Sequence, residues 1–363
     1  MTAPPRVGFR VDSSTTVGAG HAMRCLTLAE YLRRAGSEVT FATRKGVGDA
    51  IDLISVRGFA VHGLSLAATG WQTDAVASLC ALRSLAPLDW LVVDHYGLDY
   101  RWETRMREVA RRILVLDDLA NRQHDCEALL DQNYYCNADA RYREIVPAGC
   151  QLFLGPAFAL LRDEFRSGSD QNRVRDGNVT RLFVSFGAMD PTDETRKVLE
   201  ALRTLPNFVI DVVVGAANPQ RDRVIAECAS LPSANCHVQT SRIAELMHTA
   251  DLALGAGGST MWERCVVGLP TITTVTASNQ LQTTEDLAKA GAIWYLGQAD
   301  QLDAEDYRSA IEAALKSPDR LMQISARGLA IMEPTRRALS AGRHAVVDAM
   351  LNALSHPRTE ATH

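Results

Sequence analysis

The chain has 363 residues, 47% of them hydrophobic, and a formal net charge of −5. That length points to two domains, each with enough apolar material for a core of its own. The mildly acidic balance and the lack of a long basic run exclude nucleic-acid binding through bulk charge.

The first strand pattern is Arg6 to Val11. After Asp12-Ser13-Ser14 comes Val17-Gly18-Ala19-Gly20-His21-Ala22-Met23-Arg24, a small-residue turn into a helix expected over Ala22 to Arg34. Leu26, Leu28, Ala29 and Leu32 recur there at helical spacing. Gly18 and Gly20 let backbone amides approach a ligand closely, and Arg24 joins them as a substrate-binding candidate. A helix N-terminus favours anions and the neutral imidazole, so His21 is expected to accept a proton. The turn reads as an anion site with a base beside it. Asp12 orients His21, binds a sugar hydroxyl or closes an Asx-type turn.

Further strands are expected at Glu38 to Ala42, Trp90 to Val93 and Ile113 to Leu116. Helices are expected at Ala50 to Val56, Asp74 to Leu85 and Trp102 to Ala110. Short apolar strands without alternation, separated by helices, indicate a parallel sheet covered on both faces. This is a Rossmann-like layer structure, whose strand C-termini carry the site. Asp94-His95-Tyr96-Gly97 therefore shares an edge with His21. Tyr96 contacts a substrate or packs as a half-buried aromatic; His95 reads as structural. Asp117-Asp118 reads as loop bonding, since no metal-type cluster accompanies it.

From Gln151 to Arg175 the pattern changes. Gly155-Pro156 breaks the chain, Leu160 to Phe165 reads as helical, and Ser167 to Asn172 reads as an exposed linker. The alternation then resumes. Strands are expected at Arg181 to Phe186, Val209 to Val214, Leu252 to Leu254 and Thr271 to Val275. Helices are expected at Thr192 to Leu202, Pro219 to Glu227, Ile243 to His248, Thr260 to Val267 and Leu281 to Ala290. The stretch from Ala304 to Leu354 is helix-rich, and the tail from Ser355 reads as frayed. The organisation is thus a first domain over 1–155, a connection over 156–177, a second domain over 178–335, and a C-terminal helix and tail over 336–363. Two α/β domains in tandem imply a cleft between them.

Two glycine turns stand out in the second half. Gly255-Ala256-Gly257-Gly258-Ser259-Thr260 follows a strand and opens a helix that carries Glu263. Gly257, Gly258, Ser259 and Thr260 offer amides and hydroxyls to phosphate oxygens. Glu263 accepts a ribose diol or serves as a helix-start carboxylate. This is neither a P-loop nor a complete dinucleotide fingerprint. The second turn, Ser185-Phe186-Gly187-Ala188-Met189-Asp190-Pro191, also ends a strand, and Asp190-Pro191 suits a helix start. Asn279 suits an N-cap beside Gln280, and it also stands at a strand-to-helix edge.

The eight cysteines form no Cys-x-x-Cys pair and no zinc-type spacing. Buried thiols in a reducing cytoplasm are the expected reading. The N-terminal residues lack a signal peptide's apolar core, and no run is long enough for stable membrane insertion.

Together these pieces resemble the pseudaminic-acid pathway hydrolase family, PseG. The resemblance runs from Asp12-Ser13-Ser14 and the Gly18-to-Arg24 turn through Asp94-His95-Tyr96-Gly97, Asp117-Asp118 and Gly155 to Phe165. It continues through Ser185 to Pro191, Gly257-Gly258-Ser259-Thr260 with Glu263, and Asn279-Gln280, to about Gly291. It implies two Rossmann-like domains in a GT-B arrangement, as in MurG, with the nucleotide held mainly by the second. It implies a UDP-sugar as the small-molecule partner and hydrolysis without a metal or cofactor. His21 maps onto the family's catalytic histidine, Tyr96 onto its cleft tyrosine, Glu263 onto its ribose-binding glutamate and Asn279 onto its late asparagine. The backbone near Ile243 maps onto the part that reads uracil. Ala188 departs from a second glycine common in the family, and the helical region after about Gln301 exceeds that of short members.

Overall fold

A computed structural model describes residues 3–14, 18–65, 70–166, 173–205 and 208–355. The linker expected at 167–172, Val17 of the first turn and the tail beyond Ser355 lie outside the described residues. The chain forms two compact units. Unit 1 comprises Met1–Asn133, Asn137–Leu160 and Gly342–His363; unit 2 comprises Tyr134–Cys136 and Leu161–Ala341.

Unit 1 begins β1 (Arg6–Val11), α1 (Gly20–Arg34), β2 (Glu38–Arg44), α2 (Ile51–Val56), β3 (Ala60–Leu64) and α3 (Trp71–Leu82). It continues β4 (Trp90–Asp94), α4 (Tyr100–Met106), β5 (Ile113–Leu116), β6 (Ala128–Asp131), α5 (Ala138–Tyr142) and β7 (Gln151–Leu154). The seven strands form one parallel sheet in the order β3-β2-β1-β4-β5-β6-β7. The order reverses between β1 and β4, which pair with Val11 opposite Asp94. Ligands of open α/β sheets bind beyond the strand ends at such a switch point, and the His21 turn and the Asp94-to-Gly97 segment both start there.

One charged side chain is buried inside this sheet. Arg10 of β1 is fully buried, and its guanidinium joins the Asp74 carboxylate of α3 to that of Asp12. Asp74 also accepts from Ser78 Oγ at 3.0 Å and from Trp102 Nε1 at 2.9 Å. A buried charge is tolerated when its hydrogen-bonding capacity is met this fully, and breaking such a pair typically costs about 3–5 kcal/mol.

Unit 2 carries β8 (Arg181–Ser185), α6 (Glu194–Leu202), β9 (Val209–Val214), α7 (Arg221–Ala229), β10 (Ala234–Val238) and α8 (Ile243–Thr249). There follow β11 (Leu252–Ala256), α9 (Thr260–Val266), β12 (Thr271–Val275), α10 (Leu281–Lys289) and β13 (Trp294–Gln298). The long helices α11 (Ala304–Leu315) and α12 (Pro318–Ser340) complete it, and α13 (Ala345–Leu354) returns to unit 1. The sheet is parallel, in the order β10-β9-β8-β11-β12-β13. Its switch point lies between β8 and β11, with Ser185 opposite Gly255. Both glycine turns of the second half therefore leave the sheet side by side.

Three sequence expectations change. Leu160 to Phe165 is not a helix; only Asp163–Phe165 forms a single 3-10 turn, after an extended Arg162. Helix α1 starts at Gly20, so His21 lies within its first turn and not before it. Asn279 is not an N-cap: Ser278–Gln280 form a 3-10 turn, and the N-cap of α10 is Gln280.

Candidate active site

In unit 1 the site is built on Asp94, the last residue of β4. Its carboxylate is fully buried and takes donors from three side chains of α1. His21 Nδ1 lies 2.6 Å from Oδ1. Arg24 Nε and Nη2 lie 2.6 Å from Oδ2 and Oδ1, and the Cys25 thiol donates to Oδ2 at 3.5 Å. Burial pushes the Asp94 carboxyl up, but the charges and hydrogen bonds of Arg24 and His21 outweigh it and hold it well below the usual range. Asp94 is therefore an anion that only accepts, and the short contact places the imidazole proton on Nδ1. Nε2 then carries the lone pair, and it has no hydrogen-bond partner among the described residues.

Arg24 balances the charge of Asp94, so the carboxylate serves mainly to orient the ring. This corrects two expectations. Asp12 does not orient His21; it accepts from Arg10, from the Arg44 amide at 2.8 Å and from His95 Nε2 at 3.3 Å. Burial of Asp12 is outweighed by those hydrogen bonds and the charge of Arg10, so its carboxyl sits well below the ordinary value. Arg24, expected to bind substrate, is committed to Asp94, with Asp118 a further 3.5 Å contact.

Tyr96 stands edge-on to His21, with ring centroids 4.6 Å apart at 86°. Burial first, then the charge and hydrogen bond of Asp118, push its phenol above the ordinary value, so it stays neutral. His95 Nδ1 accepts from the Gly97 amide, which leaves its Nε2 proton for Asp12. Gly18 donates its N–H to Ser14 O at 2.8 Å, and Gly20 is exposed at the start of α1.

In unit 2 the turn after β11 is open on one side and tight on the other. Ser259 is exposed, and Gly258 and Thr260 are half-buried. Gly257 is buried, and a Cβ there would collide with Thr284 Oγ1 of α10. The close approach permitted at Gly257 is thus already used by the protein itself. Gly187 is the opposite case: its φ of +92° requires glycine, and nothing lies within 4 Å of its Cβ position. Asp190 keeps its helix-start role, accepting from the Glu194 and Thr195 amides at 3.0 and 2.8 Å. Gln280 Oε1 accepts from the Thr276 amide at 3.0 Å, and its Nε2 end faces Gly258. Asn279 is half-buried beside it.

Glu263 is buried and paired with Arg162 through two bonds of 2.7 Å. Arg162 also meets Glu164 at 3.0 Å, and Glu164 accepts from the Ala244 amide at 2.9 Å. The Glu164 carboxylate thus stands at the start of α8, beside the Ile243 backbone expected to read a base. Among the described residues no group of three or more His, Cys, Asp or Glu side chains is arranged to hold a metal ion. No helix among them is long and apolar enough to cross a membrane.

No family model matches the chain. The UDP-2,4-diacetamido-2,4,6-trideoxy-beta-L-altropyranose hydrolase of Campylobacter jejuni is 27% identical over 288 residues, 79% of this chain and 97% of that protein. This is the enzyme that the motifs resemble. The spore coat polysaccharide biosynthesis protein SpsG of Bacillus subtilis is 24% identical over 309 residues, 82% of this chain and 86% of that one. The MurG structure of Acinetobacter baumannii superposes with a TM-score of 0.65 at 14% identity, over 96% of this chain and 100% of that one. The fold is that of the GT-B glycosyltransferases.

Within this GT-B fold, four residues of the two sites escape a linear reading: Asp94 as the partner of His21, Arg10 behind Asp12, Asp118 on Tyr96, and Arg162 on Glu263. Asp94 had a usable signal, because a carboxylate ending the strand next to β1 faces whatever follows β1. Arg162 had none, since 101 positions separate it from Glu263.

Proposed function

We propose that the chain hydrolyses a UDP-sugar, UDP-2,4-diacetamido-2,4,6-trideoxy-β-L-altropyranose, to UDP and the free sugar in the pseudaminic-acid pathway. The observation that carries the reading is the 2.6 Å contact of Asp94 with His21 Nδ1, which leaves Nε2 as the lone-pair nitrogen. In this scheme Nε2 takes a proton from water as the water attacks the anomeric carbon. The bond from that carbon to the diphosphate oxygen breaks, UDP leaves, and the anomeric centre inverts. Tyr96 and Asn279 position the sugar or the water. Gly18 and Gly20 leave the backbone beside His21 accessible to the substrate. Asp12, braced by Arg10 and His95, is assigned to a sugar hydroxyl.

Unit 2 takes the nucleotide in this reading. The amides from Gly258 to Thr260 and the open turn at Gly187 receive the diphosphate, where donors stabilise leaving-group charge; the Gly257 N–H is held by the Thr274 carbonyl at 3.1 Å. Glu263 takes the ribose, and the Ile243 backbone the base. The similarity to the Campylobacter enzyme over most of both chains supports the substrate class. Eight free cysteines favour a reducing compartment, so the proposed setting is the cytoplasm.

The fold favours a second reading, transfer of the sugar to an acceptor hydroxyl, because MurG and the other structural neighbours named as glycosyltransferases share it. Incubation with the UDP-sugar alone separates the two. Hydrolysis releases UDP without any second sugar, whereas transfer requires one. In ¹⁸O-water the label is expected in the free sugar. Label in UDP would mean attack at phosphorus and would remove His21 from the proposed role.

A further inference from the structure

Arg264 is fully buried on α9, and no carboxylate lies within ion-pair distance of it among the described residues. The other buried arginines have their donors filled. Arg10 has two carboxylates, and Arg175 donates to five carbonyl groups of residues 247–268. Arg264 has two neutral acceptors only. Nη2 donates to the Ala256 carbonyl at 2.6 Å, Nη1 donates to Thr260 Oγ1 at 3.2 Å, and Nε is unpartnered.

Its position is as distinctive as its pairing. A Cβ on Gly255 would lie 2.7 Å from Arg264 Nη1 and 2.7 Å from the Ser185 carbonyl. The guanidinium therefore lies at the ends of β8 and β11, beneath both glycine turns of the switch point. Burial alone costs such a cation several kcal/mol unless an anion answers it. That burial draws the guanidinium down to about 10. Because Thr260 Oγ1 accepts from Arg264, the hydroxyl proton is turned away from the guanidinium, on a half-exposed residue.

We propose that Arg264 is the buried counter-charge of the diphosphate subsite: its charge is answered by the anion of a bound nucleotide, and it aims the Thr260 hydroxyl at that anion. The proposal rests on the reading of unit 2 as the nucleotide-binding unit. Arg264 acts as a positioning residue through Thr260 and through its field, without touching the ligand.

Calorimetry on the full chain tests this with UDP, uridine and inorganic pyrophosphate as probes. In Arg264→Gln the UDP affinity is expected to fall about 10–100-fold, while uridine changes less than about twofold. Arg264→Lys is expected to recover most of the loss. Equal losses for UDP and uridine, or an unchanged UDP affinity, would overturn the proposal, because a merely structural arginine does not distinguish phosphates. Should Arg264→Gln fail to fold, Thr260→Val removes only the aimed hydroxyl and must show the same split between UDP and uridine. Pyrophosphate separates the two levels of the argument. Arg264-dependent pyrophosphate binding with no preference for UDP would sink the uridine reading and leave the counter-charge standing. UDP binding that ignores Arg264 would do the reverse.

Discussion

His21 and Arg24 share one carboxylate: Asp94 receives the imidazole Nδ1 and the guanidinium on the same buried oxygen pair, each at 2.6 Å. Asp94→Asn offers an amide in place of an acceptor and permits the wrong imidazole tautomer. The expected result is a kcat loss of about 10²–10⁴-fold, the range of general-base catalysis, with UDP affinity within about twofold. His21→Asn is expected to show the same split. Steady-state UDP release and UDP calorimetry on the same preparations check it. A parallel fall in UDP affinity would move the base out of the chemical step.

Asp131 should shape the pH dependence of stability. Tyr142 has one hydroxyl proton, yet its oxygen lies 2.8 Å from Asp131 Oδ2 and 3.0 Å from the Asp117 carbonyl. Both contacts are satisfied when Asp131 is protonated and donates to Tyr142, which then donates to Asp117. Burial, the leading cause, pushes the Asp131 carboxyl up to about 7. A folded-state value raised above the unfolded 3.8 means that the folded chain holds the extra proton. This contribution is fully present below about pH 4 and is lost as pH rises through about 7, a swing of roughly 4 kcal/mol. Asp131→Asn keeps an N–H donor towards Tyr142. Denaturant melts from pH 4 to 8 should show the variant gaining on wild type as pH rises, and a constant difference would refute the assignment.

Arg162 and Glu263 should behave as one unit. Arg162→Ala leaves a buried carboxylate unanswered and is expected to cost about 3–5 kcal/mol. Adding Glu263→Gln should recover part of that cost, with a coupling of about 1–3 kcal/mol in a double-mutant cycle. Additive losses in chemical denaturation would show that the bidentate pair contributes nothing beyond its separate members.

Gly257→Ala should destabilise the chain by about 1–3 kcal/mol, because its Cβ meets Thr284 Oγ1. The Thr284 hydroxyl is buried without a partner, so Thr284→Ala alone should cost little. Combining the two should restore most of the lost stability. Failure of the rescue would mean that the backbone, and not the hydroxyl, rejects the methyl group.

The interior strands of both sheets other than β6 were legible in the sequence, and the edges were not. β1, β4, β8 and β11 are nearly continuous buried runs, which mark parallel strands directly. The strands absent from the sequence expectation include β3, β7, β10 and β13, the four edges of the two sheets. Their residues are partly exposed and mixed in character, as in Ala60–Leu64 and Ala234–Val238, so no periodicity isolates them. The fifth, β6, is buried but spans only Ala128–Asp131. The site followed the same rule. His21, Tyr96 and Glu263 stood on recognisable turns, and Asp94 at least shared an edge with His21, whereas Arg162 was invisible because long-range pairing leaves no mark on local spacing. Composition also misled at Leu160 to Phe165, where Arg162 pairs with the distant Glu263 and Glu164 accepts from the Ala244 amide, contacts that a local helical pattern does not register.

The last helix has a consequence for the order of folding. Trp90 of β4 donates its indole N–H to the Met350 carbonyl at 3.0 Å, Arg112 reaches the Ala353 carbonyl at 2.8 Å, and His344 lies against Tyr31. Unit 1 is thus assembled from segments synthesised on either side of unit 2. As the chain leaves the ribosome, unit 2 has its whole sequence before α13 exists, while Trp90 waits uncovered. The half of the protein encoded first is the half completed last, and a nascent chain halted near Ala341 would leave the Trp90 indole N–H and the Arg112 guanidinium without the α13 carbonyls that they reach.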